Sequence, residues 1–137
     1  MRSLIFIYAL LASSCSFPIK QKPELMVRAG QPIAWHTDST FDERSGPKGS
    51  ISLQIGAETL PLRINRPVAF KPLSREQLKN WGVPRQAEVA ALGYWAGYGE
   101  VLYAVRTADA VEVYHREVEE QVIPPPFTLI LRVSIAK

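Results

Sequence analysis

The segment FTLILRVSI, residues 127–135, constrains the fold more than any other part of this 137-residue chain. Its odd-numbered positions are all apolar, and its even-numbered positions are mostly polar. Because successive side chains of a strand point to opposite faces, this period of two predicts a β-strand with one face on a core. The predicted core face consists of Phe127, Leu129, Leu131, Val133 and Ile135, and the opposite face of Thr128, Ile130, Arg132 and Ser134.

A β-hairpin is predicted upstream, where the same alternation occurs on both sides of the turn Gly56-Ala57-Glu58. Every second residue is apolar in SISLQI (50–55) and again in TLPLRI (59–64). Pro61 has no amide hydrogen for a neighbouring strand, so the second strand is expected at a sheet edge. The predicted buried face consists of Ile51, Leu53, Ile55, Leu60, Leu62 and Ile64.

A second hairpin is predicted around the turn TADA, residues 107–110. The flanking segments VLYAVR (101–106) and VEVYHREV (111–118) both alternate between two faces. Asp109 in the turn is expected to hydrogen-bond its own backbone, as aspartates in turns commonly do. The two segments therefore form neighbouring antiparallel strands in this prediction.

One helix is predicted within PLSREQLKNWGVP, at about residues 74–81. Ser74 and Gln77 have the spacing of a capping box, which satisfies free amides at a helix start. Gly82 followed by Pro84 is typical of a helix end. The helix is expected to cover one open end or face of a sheet.

Composition and cysteine content predict one compact domain. A hydrophobic fraction of 47% is ordinary for a globular protein, and a single cysteine rules out internal disulfides. Stability must therefore come from packing and strand pairing. We predict a mainly β fold, a small antiparallel β-sandwich or partly closed barrel with one short helix, as a single domain over residues 31–137.

The segment HTDSTFDERSGPKGS, residues 36–50, is predicted to be a polar loop. His36 and Asp38 have a spacing at which two side chains can hold a metal ion, and His, Ser and Asp also form hydrolase triads. A zinc site needs at least three protein ligands, however, and the chain lacks a nucleophile motif such as Gly-x-Ser-x-Gly. We expect no catalytic residue, metal site or cofactor. An enzyme built on His36, Asp38 and His115 is the least favoured alternative.

His115 lies on the predicted strand 111–118, on the same face as Glu117. We interpret it as a half-buried histidine whose imidazole is hydrogen-bonded by a neighbouring side chain. An approach of His36 across a sheet is the alternative.

Aromatic residues and glycines are closely interleaved in GYWAGYGEVLYAVR, which begins at residue 93. Exposed aromatic rings stack on sugars, so Tyr94, Trp95 and Tyr98 are candidate ligand-binding residues. The favoured interpretation for Trp95 is the core beneath the helix, because large aromatic side chains dominate small cores. Gly97 and Gly99 are expected to form a turn or bulge before the following strand.

The first 15 residues, MRSLIFIYALLASSC, have the three parts of an export signal. Arg2 precedes an apolar run from Leu4 to Ala12, which is shorter than the roughly 20 residues needed to cross a bilayer. Small residues then lead into Cys15, and this end resembles the lipobox of bacterial lipoproteins. The resemblance implies a signal peptide over residues 1–14 and an acylated Cys15 as the new N-terminus.

Residues 15–30 are predicted to be the lipidated cysteine and a tether. The segment is rich in Pro and Lys and has weak periodicity, which is typical of an extended linker. Within it, Leu25 to Val27 could still pair as a strand at the domain edge.

Charge and signal together indicate a class of function. The formal net charge is +3, and the basic residues are interleaved with acidic ones, so no nucleic-acid partner is expected. We expect a membrane-anchored envelope lipoprotein that acts without catalysis as an accessory or protein-interaction module. Its expected partners are the membrane, through the lipid, and another envelope protein. The alternatives are a carbohydrate or small-ligand binding module using the aromatic–glycine segment, and a secreted or periplasmic soluble protein cut by an ordinary signal peptidase.

Overall fold

A computed structural model describes residues 25–44, 46–64 and 69–137. Within these residues the chain forms two sheets and one short helix. In chain order the strands are β1 Met26–Arg28, β2 Ile33–Asp42, β3 Gly46–Ile55, β4 Glu58–Pro61, β5 Phe70–Pro72, β6 Val89–Trp95, β7 Tyr98–Arg106, β8 Ala110–Glu119 and β9 Thr128–Ala136. One sheet has the order β1-β9-β8-β7-β6-β5 and the other the order β2-β3-β4. All neighbouring strands are antiparallel except β1 and β9.

The two sheets curl into a half-barrel, which confirms the predicted mainly β fold with one short helix. β7 is an inner strand of the larger sheet, and its residues from Gly99 to Ala104 are all buried. Leu102 and Ala104 belong to a first core cluster, whereas Val101 and Tyr103 belong to a second cluster. Since neighbouring residues of a strand face opposite sides, β7 is covered on both faces.

The first cluster lies between the two sheets. Its fully or nearly buried members are Val27, Ile33, Ile51, Leu53, Ile55, Phe70, Ala91, Leu102, Ala104, Val111, Val113, Val133 and Ile135. The second cluster lies on the side of the helix and consists of Leu78, Val83, Ala87, Ala90, Val101, Tyr103 and Val118. Full burial of one Val or Leu side chain contributes about 1.5–3 kcal/mol, so these two clusters are the main stabilising elements of the described fold.

Both predicted hairpins are present. β3 and β4 pair from Ile55 opposite Glu58, across a two-residue turn, and the predicted face of β3 is buried in the first cluster. β4 lies at the edge of its sheet, as Pro61 predicts. β7 and β8 pair from Arg106 opposite Val111. In their turn the side chain that binds backbone is that of Thr107, which accepts from the amides of Asp109 and Ala110, so the role predicted for Asp109 is wrong.

The predicted helix is a 3₁₀ helix, Arg75–Trp81. The backbone amide of Ser74 donates to Oε1 of Gln77 at 3.0 Å, as in the predicted capping box. The helix ends at Gly82, whose φ of 69° is a left-handed conformation that glycine adopts without steric cost. Leu78 is buried in the second cluster and attaches the helix to the larger sheet.

The prediction of a polar loop over residues 36–50 is wrong. β2 and β3 pair continuously from Ile33 opposite Ile55 to Asp42 opposite Gly46. We call the outer part of this hairpin, residues 38–44 and 46–50, the hairpin arm. β2 is exposed from Asp38 onward, so the arm has no buried apolar face and its strands are formed mainly by the backbone ladder between β2 and β3.

The prediction that β9 presents one apolar face is confirmed for Leu131, Val133 and Ile135 and is wrong for Phe127 and Leu129. Val113 of β8 pairs with Leu131, whereas Tyr114 pairs with Leu129, so Ile130 is an extra residue that forms a β-bulge. Because of the bulge, the residues before Ile130 lie on the opposite face from the one that regular alternation predicts. Leu131, like Val133 and Ile135, packs in the first cluster, but Phe127 packs against the second.

A short strand, β1, lies at the edge of the larger sheet. Its bounds are shifted by one residue from Leu25 to Val27, the segment in which the sequence allowed a strand. Met26 pairs with Ser134 in parallel orientation, and Val27 is buried in the first cluster. This pairing attaches β1, which lies in the predicted tether, to β9.

Candidate functional site

The aromatic–glycine segment forms the hairpin of β6 and β7. Ala96 and Gly97 make a two-residue turn in which both residues have positive φ, 54° and 81°. Such a turn matches the twist of the flanking strands. β7 begins directly after it at Tyr98, so Gly99 lies within the strand, and only Gly97 has the predicted turn position.

Trp95 does not lie in the core, and the interpretation that it fills the space beneath the helix is wrong. The residue is 48% exposed and packs edge-on against Phe41 of the hairpin arm, with ring centroids 6.0 Å apart. A Cβ on Gly46 would lie 2.6 Å from its indole nitrogen, so the ring rests against the backbone of the arm. Trp95 is the last residue of β6, beyond the end of the packed core, which explains its exposure.

Tyr94 lies on the opposite face of β6 from Trp95, because the two residues are consecutive in a strand. Its ring packs beside Trp81, with centroids 5.8 Å apart, and the residue is 42% exposed. A Cβ on Gly99 would lie 2.6 Å from Cδ2 of Tyr94, so glycine leaves room for this ring. Tyr98 is half-buried against the first cluster. The structure thus separates Tyr94 from the other two candidate residues and adds Phe41, which the sequence did not suggest.

His36 and Asp38 lie on the smaller sheet and do not approach a third ligand. Their nearest nitrogen and oxygen are 3.9 Å apart, and the side chains are 59% and 80% exposed. No group of three or more His, Cys, Asp or Glu side chains able to hold a metal ion occurs within the described ranges.

His115 lies in the larger sheet and contacts a carboxyl group that the sequence analysis missed. Its Nε2 is 3.1 Å from Oε1 of Glu100, on the neighbouring strand β7. The side chain of His115 is 12% exposed, which confirms a largely buried histidine bonded to a neighbouring side chain. The register that starts at the turn places Leu102 opposite His115, and Glu100 lies diagonally across on the same face.

Glu100 is fully buried, and it is the only residue so classed among the described polar and charged ones. Its second oxygen, Oε2, has no hydrogen-bond partner in the described part of the chain. Burying a carboxyl group without full hydrogen bonding costs several kcal/mol, so the burial of Glu100 lowers the free energy of unfolding. A signal for it exists in the sequence, since Glu100 is the one acidic residue of β7, is followed by five apolar residues, and lies across the hairpin from a histidine.

Arg116 is the cation on the other face of β8. Its Nη2 donates to the backbone carbonyl of Trp81 at 2.6 Å, and its guanidinium lies 4.3 Å above the ring of Phe127. Burial lowers the pKa of Arg116 from its ordinary value. The side chain therefore connects the end of the 3₁₀ helix to the larger sheet.

The outer edge of β9 is only partly covered. β1 pairs with Ser134–Ala136 alone, so no described strand lies beside residues 128–133 on that side. Leu129 on this edge is 47% exposed, and Val122 and Ile123 in the preceding segment are 54% and 91% exposed. An uncovered edge with exposed apolar side chains can accept another strand.

Cys15 and the predicted signal peptide lie outside the described residues, and so does most of the predicted tether. In the part of the chain that the structure describes, no helix has the length and apolar character that a bilayer crossing requires.

Comparison of the chain with protein-family models, with curated proteins and with solved structures gives no match. The function proposed below therefore rests on the sequence and on the geometry just described.

Proposed function

We propose that the protein is a lipid-anchored, non-catalytic module of the bacterial envelope that binds a partner protein by adding an extended segment of that partner to β9. The observation that carries this proposal is the edge of β9 over residues 128–133, beside which no described strand lies. Six residues of strand span about 20 Å, which is the length of an ordinary strand partner.

The backbone hydrogen bonds of β9 indicate which of its residues would pair with an added strand. The amide of Ile135 donates to the carbonyl of Asp109 at 2.7 Å, on the β8 side of the strand. Backbone groups of successive strand residues point to alternate sides, and the bulge lies earlier, at Ile130. The amide and carbonyl of Arg132 therefore point toward the uncovered edge, where a partner strand would bond to them.

Exposed apolar side chains concentrate near the same edge. Of the eight large hydrophobic residues that are exposed in the described structure, five lie on β9, in the segment before it, or at β1 beside it. These five are Leu25, Met26, Val122, Ile123 and Leu129. Exposed apolar side chains on this strand and on the segments next to it supply the apolar contacts that backbone pairing lacks.

The experiment that tests this function compares Arg132→Pro with Arg132→Ala in the full lipidated chain, purified in mild detergent from envelopes. Both variants lose the ion pair of Arg132 with Glu112, 3.5 Å long and half-exposed, but only proline also removes the amide hydrogen at the edge. We expect the co-purified envelope protein to be lost at least tenfold with Arg132→Pro and retained with Arg132→Ala, since about 1.4 kcal/mol is a tenfold change. Equal retention by both variants would contradict strand addition.

The anchor has its own test. Cys15→Ser removes the thiol that the lipid is expected to modify, and we expect the variant to move from the detergent phase to the aqueous phase on phase partitioning. A variant that stays in the detergent phase would show that the attachment does not depend on Cys15.

A second candidate function is binding of a small carbohydrate beside Trp95. The exposed pair of Trp95 and Phe41 supports it, because exposed aromatic faces stack on sugar rings. Trp95→Ala is expected to abolish retention on an immobilised-glycan array, and Tyr94→Ala, on the opposite face of β6, is the matched control. Equal losses with both variants would argue against a site at Trp95.

A further inference from the structure

We propose that a basic cleft beside the 3₁₀ helix binds a phosphate group, and that an acidic phospholipid headgroup is its source. The cleft has a volume of about 790 Å³, within the usual range for ligand clefts. Three of its lining residues are basic and none is acidic. The basic residues are Arg75, Lys79 and Arg85, and the apolar floor is formed by Leu78, Val83 and Pro84.

The positive charge of the cleft is not neutralised by a contacting acidic side chain. In the described residues, Lys79 and Arg85 form no ion pair, and the acidic residue of the helix, Glu76, does not line the cleft. The charge of Arg75 helps to lower the pKa of Glu88, but both oxygens of Glu88 are bonded to Arg106, at 2.8 and 2.9 Å. An anion entering the cleft would therefore meet two cations, Lys79 and Arg85, that have no acidic partner among the described residues.

The cleft is also held in shape by backbone contacts. Nη1 of Arg75 donates to the carbonyl of Arg85 at 3.1 Å, which fixes the helix against the segment that follows it. The remaining N–H groups of a guanidinium form a planar fork that suits phosphate oxygens.

A fourth cation lies beneath the floor. A Cβ on Gly82 would collide with the guanidinium of Arg116, so this group sits directly under the helix end. Because Arg116 donates to the carbonyl of Trp81, the partial negative charge of the helix end is offset where it would otherwise oppose an anion. Three exposed cations above a partly buried one, over an apolar floor, match an anion that carries an apolar body, as a phospholipid does.

The test uses the purified full chain carrying Cys15→Ser, so that no acyl chain contributes to membrane binding. Its flotation is measured with vesicles of phosphatidylglycerol and of phosphatidylcholine. We expect binding to phosphatidylglycerol only, and a loss of about 30-fold with the added pair Lys79→Ala and Arg85→Ala, because each surface cation contributes about fivefold near an anionic membrane. Both residues are exposed, and thermal unfolding checks that the variant folds.

The matched control adds Arg28→Ala and Lys48→Ala, which remove the same charge from β1 and the hairpin arm. We expect this control to keep its affinity for the vesicles, and inorganic phosphate to compete for the cleft at millimolar concentration. Saturable binding of inorganic phosphate that the cleft variant loses, without vesicle binding, would keep the phosphate site and overturn the lipid source. Equal losses in the cleft variant and the control, equal binding to both vesicle types, or tighter binding of a single-stranded oligonucleotide would overturn the site itself. None of these outcomes depends on the lipid anchor or on the edge of β9.

Discussion

His115 and His36 each lie near a carboxyl group, yet the two pairs have opposite environments. His115 is largely buried and contacts the fully buried Glu100 at 3.1 Å, whereas His36 and Asp38 are mostly exposed and 3.9 Å apart. The exposed pair is two residues apart in the sequence, and the buried pair is 15 apart. Nearness in the sequence was therefore a poor guide to which pair forms a close contact.

The difference in burial determines how much each pair contributes to stability. An exposed pair is screened by water and salt and contributes about 0–1 kcal/mol. A buried pair is costly to form, but removing one member leaves the other without compensation in a medium of low dielectric constant. Three of the four predictions below test whether the two pairs follow this rule, and the other tests a third pair of intermediate exposure.

The largest expected effect is that of His115→Leu. Leucine has a similar volume but cannot bond to Glu100, so the free energy of unfolding should fall by about 3–5 kcal/mol. The measurement is urea denaturation of the full chain near neutral pH. A loss of less than about 1 kcal/mol would show that the contact with Glu100 contributes as little as an exposed pair does.

The second largest expected effect is a recovery of stability in a double variant. Replacing both members, with Glu100→Leu added to His115→Leu, removes the uncompensated carboxyl group, and about 1–4 kcal/mol of the lost stability should return. The same denaturation experiment on the single and double variants gives the coupling energy between the two positions. Additive losses would contradict a direct interaction between Glu100 and His115.

Glu88 and Arg106 form a pair of intermediate exposure, and its effect should lie between the other two. The hydrogen bond from Arg106 is the main cause that lowers the pKa of Glu88 below its ordinary value of 4.5. A lowered folded-state pKa means that the carboxylate stabilises the fold above the unfolded-state value, and that this contribution is lost as the pH falls through the folded-state value. Because the Glu88 side chain is 39% exposed, Glu88→Gln should cost no more than about 1 kcal/mol at neutral pH.

This difference between wild type and Glu88→Gln should disappear in acid, where the wild-type carboxyl group is protonated as well. Denaturation midpoints at about pH 7 and about pH 3 measure it. A cost that is the same at both pH values would mean that the glutamine disturbs packing rather than an ion pair.

The smallest expected effect is that of His36→Ala, which should change the free energy of unfolding by less than about 0.5 kcal/mol. Both partners of the pair are exposed on β2, so water replaces the lost contact. Denaturation in low and high salt measures it. A loss above about 1 kcal/mol would place His36 in a contact that the described residues do not show.

Local pattern was sufficient to predict the parts of the fold in which one strand face is buried. The alternation at Ile51, Leu53 and Ile55 predicted a face that is fully buried, and the spacing of Ser74, Gln77 and Gly82 predicted the start and end of the short helix. In these segments the local signal and the tertiary packing agree, which is why the prediction was correct.

The remaining parts depend on tertiary contacts that a local pattern does not contain. The hairpin arm is held by backbone pairing without an apolar face, and the exposure of Trp95 depends on where β6 ends relative to the core. For the candidate site, the sequence indicated His115 but missed Glu100, since that contact follows only once the register of β7 and β8 is written out. Phe41 was missed because the arm was assigned as a loop.

The extra residue Ile130 in β9 also determines how this part of the chain tolerates insertions and deletions. A single deletion there would remove the bulge and leave residues 127–129 opposite the same residues of β8, so Phe127 would stay beside Tyr103, whose ring lies 4.9 Å from it. A deletion in the exposed segment before Phe127 would move no side chain from one face to the other. Length changes in homologous chains should therefore be found before β9 or at Ile130, and be excluded from residues 131–135, where a shift of one residue turns part of the strand over.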